Sequence, residues 1–120
     1  MNQIKRVEIH EFTHTAKNLG LLTNANTIGA VGYAKGKSMK LDKYAVVIET
    51  KDGCRGEYVT HWGGNQVACT QSKMLAPKLL EYNANEREKI YDDFKRELRQ
   101  FDHMGHGPLD IALWDWAGKK

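Results

Sequence analysis

Asp110-Ile111-Ala112-Leu113-Trp114-Asp115-Trp116-Ala117-Gly118-Lys119 is the stretch on which the fold turns. Pro108 stands just ahead of it, at the helical position that tolerates a missing N–H and a fixed φ. Gly118 stands where a helix commonly ends in a left-handed residue. The stretch therefore reads as a helix over residues 108–117. Its apolar residues do not form one stripe: Leu109, Ile111, Leu113, Trp114 and Trp116 point nearly all round. A helix apolar on every side needs partners on every side. Either it is the central member of a small bundle, or part of its surface packs on protein outside this chain. We expect the second, with apolar surface left open around Leu113, Trp114 and Trp116.

Working back from that helix, the helical period continues. Ile90, Phe94, Leu98 and Phe101 recur at one face of a helix over 86–101, with Asn85 as its N-cap. A helix over 66–76 turns Val67, Met74 and Gln71 inward, and Pro77 ends or kinks it. Further back the period becomes two. Residues 43–50 are the clearest strand, with Tyr44, Val46 and Ile48 on one face and Ala45, Val47 and Glu49 on the other. Asp52-Gly53 signals a two-residue hairpin into a third strand, 54–60. Residues 4–13, rich in β-branched and aromatic types, form the first strand. The expectation is an α+β domain over 1–120: a three-stranded antiparallel β-meander followed by about three helices.

Size and charge limit what such a domain can be. A chain of 120 residues is about one domain and cannot contain a (β/α)₈ barrel of about 250. Apolar residues at 41% and charged residues at 28% give the composition of a folded globular chain rather than a disordered one. Eighteen basic against 15 acidic side chains, net +3, is too balanced to imply a nucleic-acid partner. The longest apolar run, Tyr44–Ile48, is five residues, so no membrane span is expected. The first eight residues show no apolar segment of a signal peptide, and Cys54 and Cys69 make no disulfide framework. A cytoplasmic protein with reduced thiols is the expectation.

Candidate binding residues cluster in two connections. Residues 14–42 have no strong periodicity, and the stretch 14–43 holds five lysines against one acid, Asp42. Lys35 and Lys37 within it suit an anionic small molecule. The other connection, Glu57 to Asn65, holds His61, which can donate or accept near neutral pH, and Trp62, an apolar wall. The plain alternatives are a solvated loop for the first and a turn with a core tryptophan for the second.

Two motifs match by letter only. His10-Glu11-Phe12-Thr13-His14 spells the zinc motif H-E-x-x-H, which needs a helix to bring both imidazoles to one metal. On a strand, at about 3.3 Å per residue, the two histidines stand roughly 13 Å apart. Gly32 to Ser38 resembles a phosphate-binding loop, but Val31 occupies the position of its first glycine and a strand follows where a helix is required.

The segment Asp110–Lys119 resembles the D-x-A-L-W-D-x-x-G-K sequence that closes the N-terminal capping domain in the enolase superfamily, in its mandelate racemase/muconate-lactonizing branch. Ile4–Glu8 is similar to that domain's opening strand, and Val46 to Gly56 to its second and third strands with their Asp-Gly turn. Ala76–Leu80 followed by Asn85-Glu86 is similar to its helical segment. The third strand, Gly56-Glu57-Tyr58, departs from the family's common G-x-G-E.

The resemblance implies a two-domain enzyme. A C-terminal barrel domain of the same polypeptide holds Mg²⁺ on carboxylates and carries the bases that abstract a proton α to a carboxylate. It implies no metal ligand and no catalytic residue in this chain. What it assigns here is the closing of two loops, residues 14–37 and 57–65, over a small carboxylate substrate. Lys35, Lys37, His61 and Trp62 become candidate substrate-binding residues, in a homo-oligomeric dehydratase or racemase acting on an acid sugar. A free-standing ligand-binding or interaction module with the same fold and no catalysis is the alternative.

Overall fold

The computed structural model describes residues 2–17, 38–60 and 66–120. Strand β2, Met39–Thr50, is the central strand of the sheet. It pairs antiparallel with β1, Ile4–Ala16, on one side and with β3, Arg55–Val59, on the other. In register, Val46 meets Ile9 and Tyr58, while Ile48 meets Val7 and Gly56. Alternation along β2 sends Tyr44, Val46, Ile48 and Thr50 to one face, where all four are fully buried. The opposite face carries charge. Glu49 accepts from Arg6 Nη2 at 2.9 Å and Lys5 Nζ at 3.3 Å, and Glu8 from Arg55 Nη2 at 3.0 Å. The Arg6 and then the Lys5 hydrogen bonds hold the Glu49 carboxyl below its ordinary range.

Three helices cover the apolar face: α1, Gln66–Leu79; α2, Arg87–Glu97; and α3, His106–Lys119. A three-stranded antiparallel meander followed by three helices is the architecture the periodicity predicts. Cys54 and Cys69 stand as free thiols. No helix among the described residues is long and apolar enough to cross a membrane.

Several details differ from expectation, each for a local reason. β1 and β2 continue past residues 13 and 43, because each supplies the other's partner out to Ala16 and Met39. The β2–β3 turn holds three residues rather than two. Gly53 N–H donates to Thr50 O at 2.9 Å, and Gly53 then takes the left-handed conformation at φ +87°. Asp52 contributes its carboxylate, which accepts from Thr50 Oγ1, Cys54 N–H and Lys120 Nζ.

In α1 the inward face is Ala68, Gln71, Ser72, Leu75 and Leu79, while Val67 and Met74 are exposed. Small and polar side chains are buried there because the turn before α3 comes close: Gly105 N–H donates to Gln71 Oε1 at 2.8 Å and Ser72 Oγ to Gly105 O at 2.6 Å. Pro77 does not stop α1 at once. It lies inside the helix, which ends two residues later at Leu79. Helix α2 is shorter than 86–101. Ile90, Phe94 and Leu98 are buried, but Phe101 lies beyond the helix and is exposed. Asn85 is not its N-cap. Its N–H donates to Asn83 Oδ1, and Glu86 Oε2 accepts from Asn83 N–H, so the two side chains close the turn ahead of the helix. Helix α3 starts two residues before Pro108 and runs through Gly118.

The largest correction concerns α3. Leu113 and Trp116 are not open to a missing partner: both are fully buried within this chain, with Leu109 and Ala112. The helix is central, in contact with β2, β3, α1 and α2. Its C-terminal half is fitted to the β2–β3 hairpin. A Cβ on Gly56 would lie 2.0 Å from Ala112 O and 2.6 Å from Trp116 Cβ, so β3 and α3 meet at a distance only glycine permits. Trp116 Nε1 donates to Thr50 Oγ1 at 2.9 Å, and Glu57 N–H to Asp115 Oδ2 at 2.8 Å. Lys119 Nζ pairs with Asp115 at 2.7 Å, and Lys120 with Asp52. Only Ile111 and Trp114 keep the apolar stripe exposed, and the Arg87 guanidinium stands 4.6 Å over the Trp114 ring.

Candidate functional site

The two connections singled out by sequence begin at one end of the sheet. β3 ends at the rung Ala45↔Val59, and among the described residues β1 and β2 continue past it as a pair, through Phe12↔Lys43 and Thr13↔Asp42 to Ala16↔Met39. In sequence, residues 18–37 connect the two strands of this arm. At its root stands the rung Glu11↔Tyr44.

Tyr44 is buried, and its hydroxyl lies 2.8 Å from Ser72 Oγ. Ser72 has one proton and gives it to Gly105 O, so Tyr44 is the donor in that pair. Burial pushes the Tyr44 phenol up. Its backbone is tied to Thr60: Tyr44 N–H donates to Thr60 Oγ1 at 3.1 Å, and Thr60 N–H to Tyr44 O at 3.0 Å. Thr60 thus leaves the sheet at the arm root, and Gln66 opens α1 beside the same cleft. Both ends of segment 61–65 are therefore rooted there.

Across the cleft, Glu11 faces α1. Its Oε1 accepts from Cys69 Sγ at 3.3 Å and its Oε2 from Lys73 Nζ at 3.0 Å. Lys73, then Cys69, hold the Glu11 carboxyl below its ordinary range, and Glu11 in return raises Lys73. Burial first, then the Glu11 carboxylate, pushes the Cys69 thiol up. A thiol shifted that way is a hydrogen-bond donor and not an activated nucleophile. Thr13 Oγ1 donates to Asp42 Oδ1 at 3.3 Å on the rung beyond.

The cleft between arm and helix, lined among others by Thr13, Asp42, Gln66 and Cys69, measures about 220 Å³. Sites that enclose a whole small molecule usually span roughly 300–1,000 Å³. The cleft is a subsite in size, with donors and acceptors but no base–nucleophile pair. A wider groove of about 400 Å³ lies between α2 and α3, walled by Tyr91, Trp114, Arg87 and Asp110.

Lys35, Lys37, His61 and Trp62 all lie outside the described residues. Sequence reasoning passed over Glu11, Cys69 and Lys73. Glu11 sat inside the H-E-x-x-H string, and residues 10–14 do lie on a strand. The spacing of Cys69 and Lys73, four apart on a helix, was the signal that could have paired them with one strand residue. Among the described residues, no three His, Cys, Asp or Glu side chains converge as a metal site would require.

No protein-family model matches the chain. Over 91 residues it is 34% identical to the 3,6-anhydro-alpha-L-galactonate cycloisomerase of Streptomyces coelicolor, a match covering 69% of this chain and 25% of that protein. A structure from Roseovarius nubinhibens assigned as a mandelate racemase/muconate lactonizing enzyme superposes with TM-score 0.67 at 24% identity, over 96% of this chain and 30% of the other. A magnesium complex from the same organism, with the same assignment, gives 0.64 at 25% identity and the same coverage. The D-glucarate dehydratase of Agrobacterium tumefaciens, also a magnesium complex, gives 0.59 at 20% identity, over 98% of this chain and 30% of that one. The chain thus spans between 25% and 30% of the length of the proteins it matches. Magnesium belongs to those structures; the residues described in this chain offer no fit for it. In sequence and in fold the chain is similar to the mandelate racemase/muconate-lactonizing branch of the enolase superfamily, and it matches the small α+β, enolase N-terminal-like domain of those proteins.

Proposed function

We propose that this chain is the substrate-capping and specificity domain of a Mg²⁺-dependent enzyme that removes a proton α to a carboxylate, a dehydratase or racemase acting on an acid sugar. The observation that carries the reading is the shared root of the two connections. The arm's root and the residues that flank segment 61–65, Thr60 and Gln66, lie near the cleft beside Glu11 and Tyr44. Connections whose flanking residues share one region of a scaffold can contribute to one binding site.

The names of two relatives support the substrate class, since one carries galactonate and the other glucarate. In this reading the metal and the bases belong to a barrel domain of the same polypeptide, and the exposed Ile111–Trp114 stripe of α3 is available to pack on it. This chain's share is binding. Contacts to parts of the substrate remote from the reacting carbon orient it and exclude water. Lys35 and Lys37 supply positive charge, His61 a hydrogen bond and Trp62 an apolar wall.

The test is kinetic and uses the full-length protein. Replacing His61 by Ala should cost about 1–3 kcal/mol in transition-state stabilisation, read as kcat/KM. The loss should be larger on sugar acids that reach the loop than on small carboxylates that do not. A parallel Mg²⁺ titration should be unchanged. Equal losses on every substrate, or a weaker Mg²⁺ site, would overturn the assignment of His61. A reading frame that stops at Lys120 would favour the free-standing module.

A further inference from the structure

We propose that Glu11 is a positioning residue, a carboxylate latch that sets the stance of the β1–β2 arm against helix α1. The arm needs such a device. Among the described residues it is a two-stranded ribbon from Phe12 to Ala16 and from Met39 to Lys43, and residues 10–15 of β1 are all exposed. An isolated two-stranded ribbon is marginal in water. Its angle to the body is therefore decided at the root.

The root rung is fastened on both strands, in different ways. On β2, Tyr44 is buried and bonded to Ser72 of α1, a tie that opens only if the core opens. On β1, Glu11 reaches the same helix at Cys69 and at Lys73, which lie one turn apart, with 59% of its own side chain exposed. Tyr44 is the pin and Glu11 the latch. Each carboxylate oxygen holds one donor, so rotation of the ribbon about the pin breaks at least one charge-assisted bond.

The titratable groups that face Glu11 are Lys73 and Cys69 from α1, Tyr44 across the rung, and Asp42, which shares its face of the ribbon. Asp42 is engaged by Thr13, and Lys73 is the cation among them. Neutralising Glu11 by protonation or substitution leaves Lys73 without its partner and the Cys69 thiol without an ionised acceptor. The latch then opens, while the sheet and α3 have no part in it.

Amide hydrogen exchange on the chain itself tests this. In Glu11→Gln, amides of residues 12–16 and 39–43 should exchange about three- to tenfold faster at neutral pH, with residues 46–50 and 106–116 as protected as before. Lys73→Met should reproduce the effect from the other side, and serves if Glu11→Gln fails to fold. The charge-swapped pair Glu11→Lys with Lys73→Glu should restore arm protection. After correction for intrinsic rates, the wild-type arm should also lose protection as pH falls below the ordinary carboxylate range, and Glu11→Gln should not.

Arm exchange within twofold of wild type in both single variants, no recovery in the charge swap, or identical pH profiles would each overturn the latch. Its consequence for a substrate rests on the capping role proposed above. In the full-length enzyme Glu11→Gln should then raise KM more than it lowers kcat. Altered exchange with unaltered KM would sink the capping role and leave the latch standing.

Discussion

The two ends of the β-sheet are held by opposite means. At the α3 end, β3 lies against a helix at glycine-only distance, and donors on both elements find partners: Trp116 on Thr50, Glu57 N–H on Asp115, Lys120 on Asp52. At the arm end, β3 does not extend, residues 10–15 of β1 are exposed, and among the described residues a buried tyrosine and an exposed carboxylate tie it to α1. The first end is closed by packing, which is bistable at best and tolerates little change. The second is closed by one buried pin and by exposed bonds at Glu11 that water can replace. A ligand-binding surface belongs at the second kind of end, because low local stability lets it adjust while the frame does not. The motif Asp110–Lys119, the most informative stretch of the sequence, thus builds the frame and touches nothing at the cleft.

Glycines give the hardest blow to that contrast. Gly56→Ala should cost about 3–5 kcal/mol, because the new Cβ meets a backbone oxygen of α3 that cannot move aside. Gly118→Ala, later in the same helix, meets nothing within 4 Å and should stabilise by about 0.5–1 kcal/mol through helix propensity. Urea midpoints of the two variants decide it. A tolerated Gly56→Ala would mean that α3 rides loosely on β3 and that the frame is no frame.

Next in size is Thr50→Val, which keeps the shape and removes the hydroxyl. Thr50 is fully buried and its Oγ1 is the acceptor for Trp116 Nε1. The variant leaves an indole N–H unpaired in the core, a penalty of about 1–3 kcal/mol. Adding Trp116→Phe should not repeat that loss, since the orphaned donor goes with the indole. A double-mutant cycle without coupling would show that the bond is incidental to the fit.

These frame contacts also mark what the sequence could and could not convey. The strands were legible because β2 alternates cleanly and Gly53 punctuates the hairpin. In helix α1 the expected Gln71 does face in, but it is joined by Ala68, Cys69, Ser72, Leu75 and Leu79, while the apolar Val67 and Met74 face out. Periodicity follows hydrophobicity, and here steric approach at Gly105 chose the face instead. The all-round pattern of α3 was read as a request for another domain, yet Leu113 and Trp116 are satisfied by this chain's own sheet and helices. A pattern records how many sides are apolar but not who covers them. At the candidate site, the latch joins residues 58 and 62 positions apart in sequence, a pairing no local motif encodes.

The first turn of α3 qualifies the idea of a uniformly closed body. His106 is buried, its ring 4.9 Å from Tyr91 and 5.9 Å from Phe94, and its Nε2 has no hydrogen-bond partner among the described residues. Burial lowers its pKa. The unfolded chain therefore takes up the proton first, so stability is lost as pH falls below about 6.5, at up to about 1.4 kcal/mol per unit. Burial raises the Asp110 carboxyl, which works the other way: its penalty is relieved as pH falls through its folded value. Thermal melts from pH 7.5 to 5 should slope in the native chain and flatten in His106→Phe. An equal slope in both would place the titration elsewhere.

The smallest effect belongs to the arm, and it is the counterpart of Thr50→Val. Thr13→Val makes the same chemical change nine residues along β1 from Ile4, on an exposed rung where Thr13 Oγ1 reaches Asp42 Oδ1 at 3.3 Å. Water can take over both partners there, so no donor or acceptor is left unpaired. Valine is also at home in a strand, which offsets part of any loss. The expected change in global stability is within about 0.5 kcal/mol, and the urea midpoint should stay within error. Exchange of the Thr13 and Asp42 neighbourhood should quicken by no more than about twofold, less than for Glu11→Gln, because the bond lies within the ribbon and does not tie it to α1. A cost at Thr13 as large as at Thr50 would erase the difference between the two ends. It would mean that the arm is part of the cooperative core, and the root rung would no longer be where its position is decided.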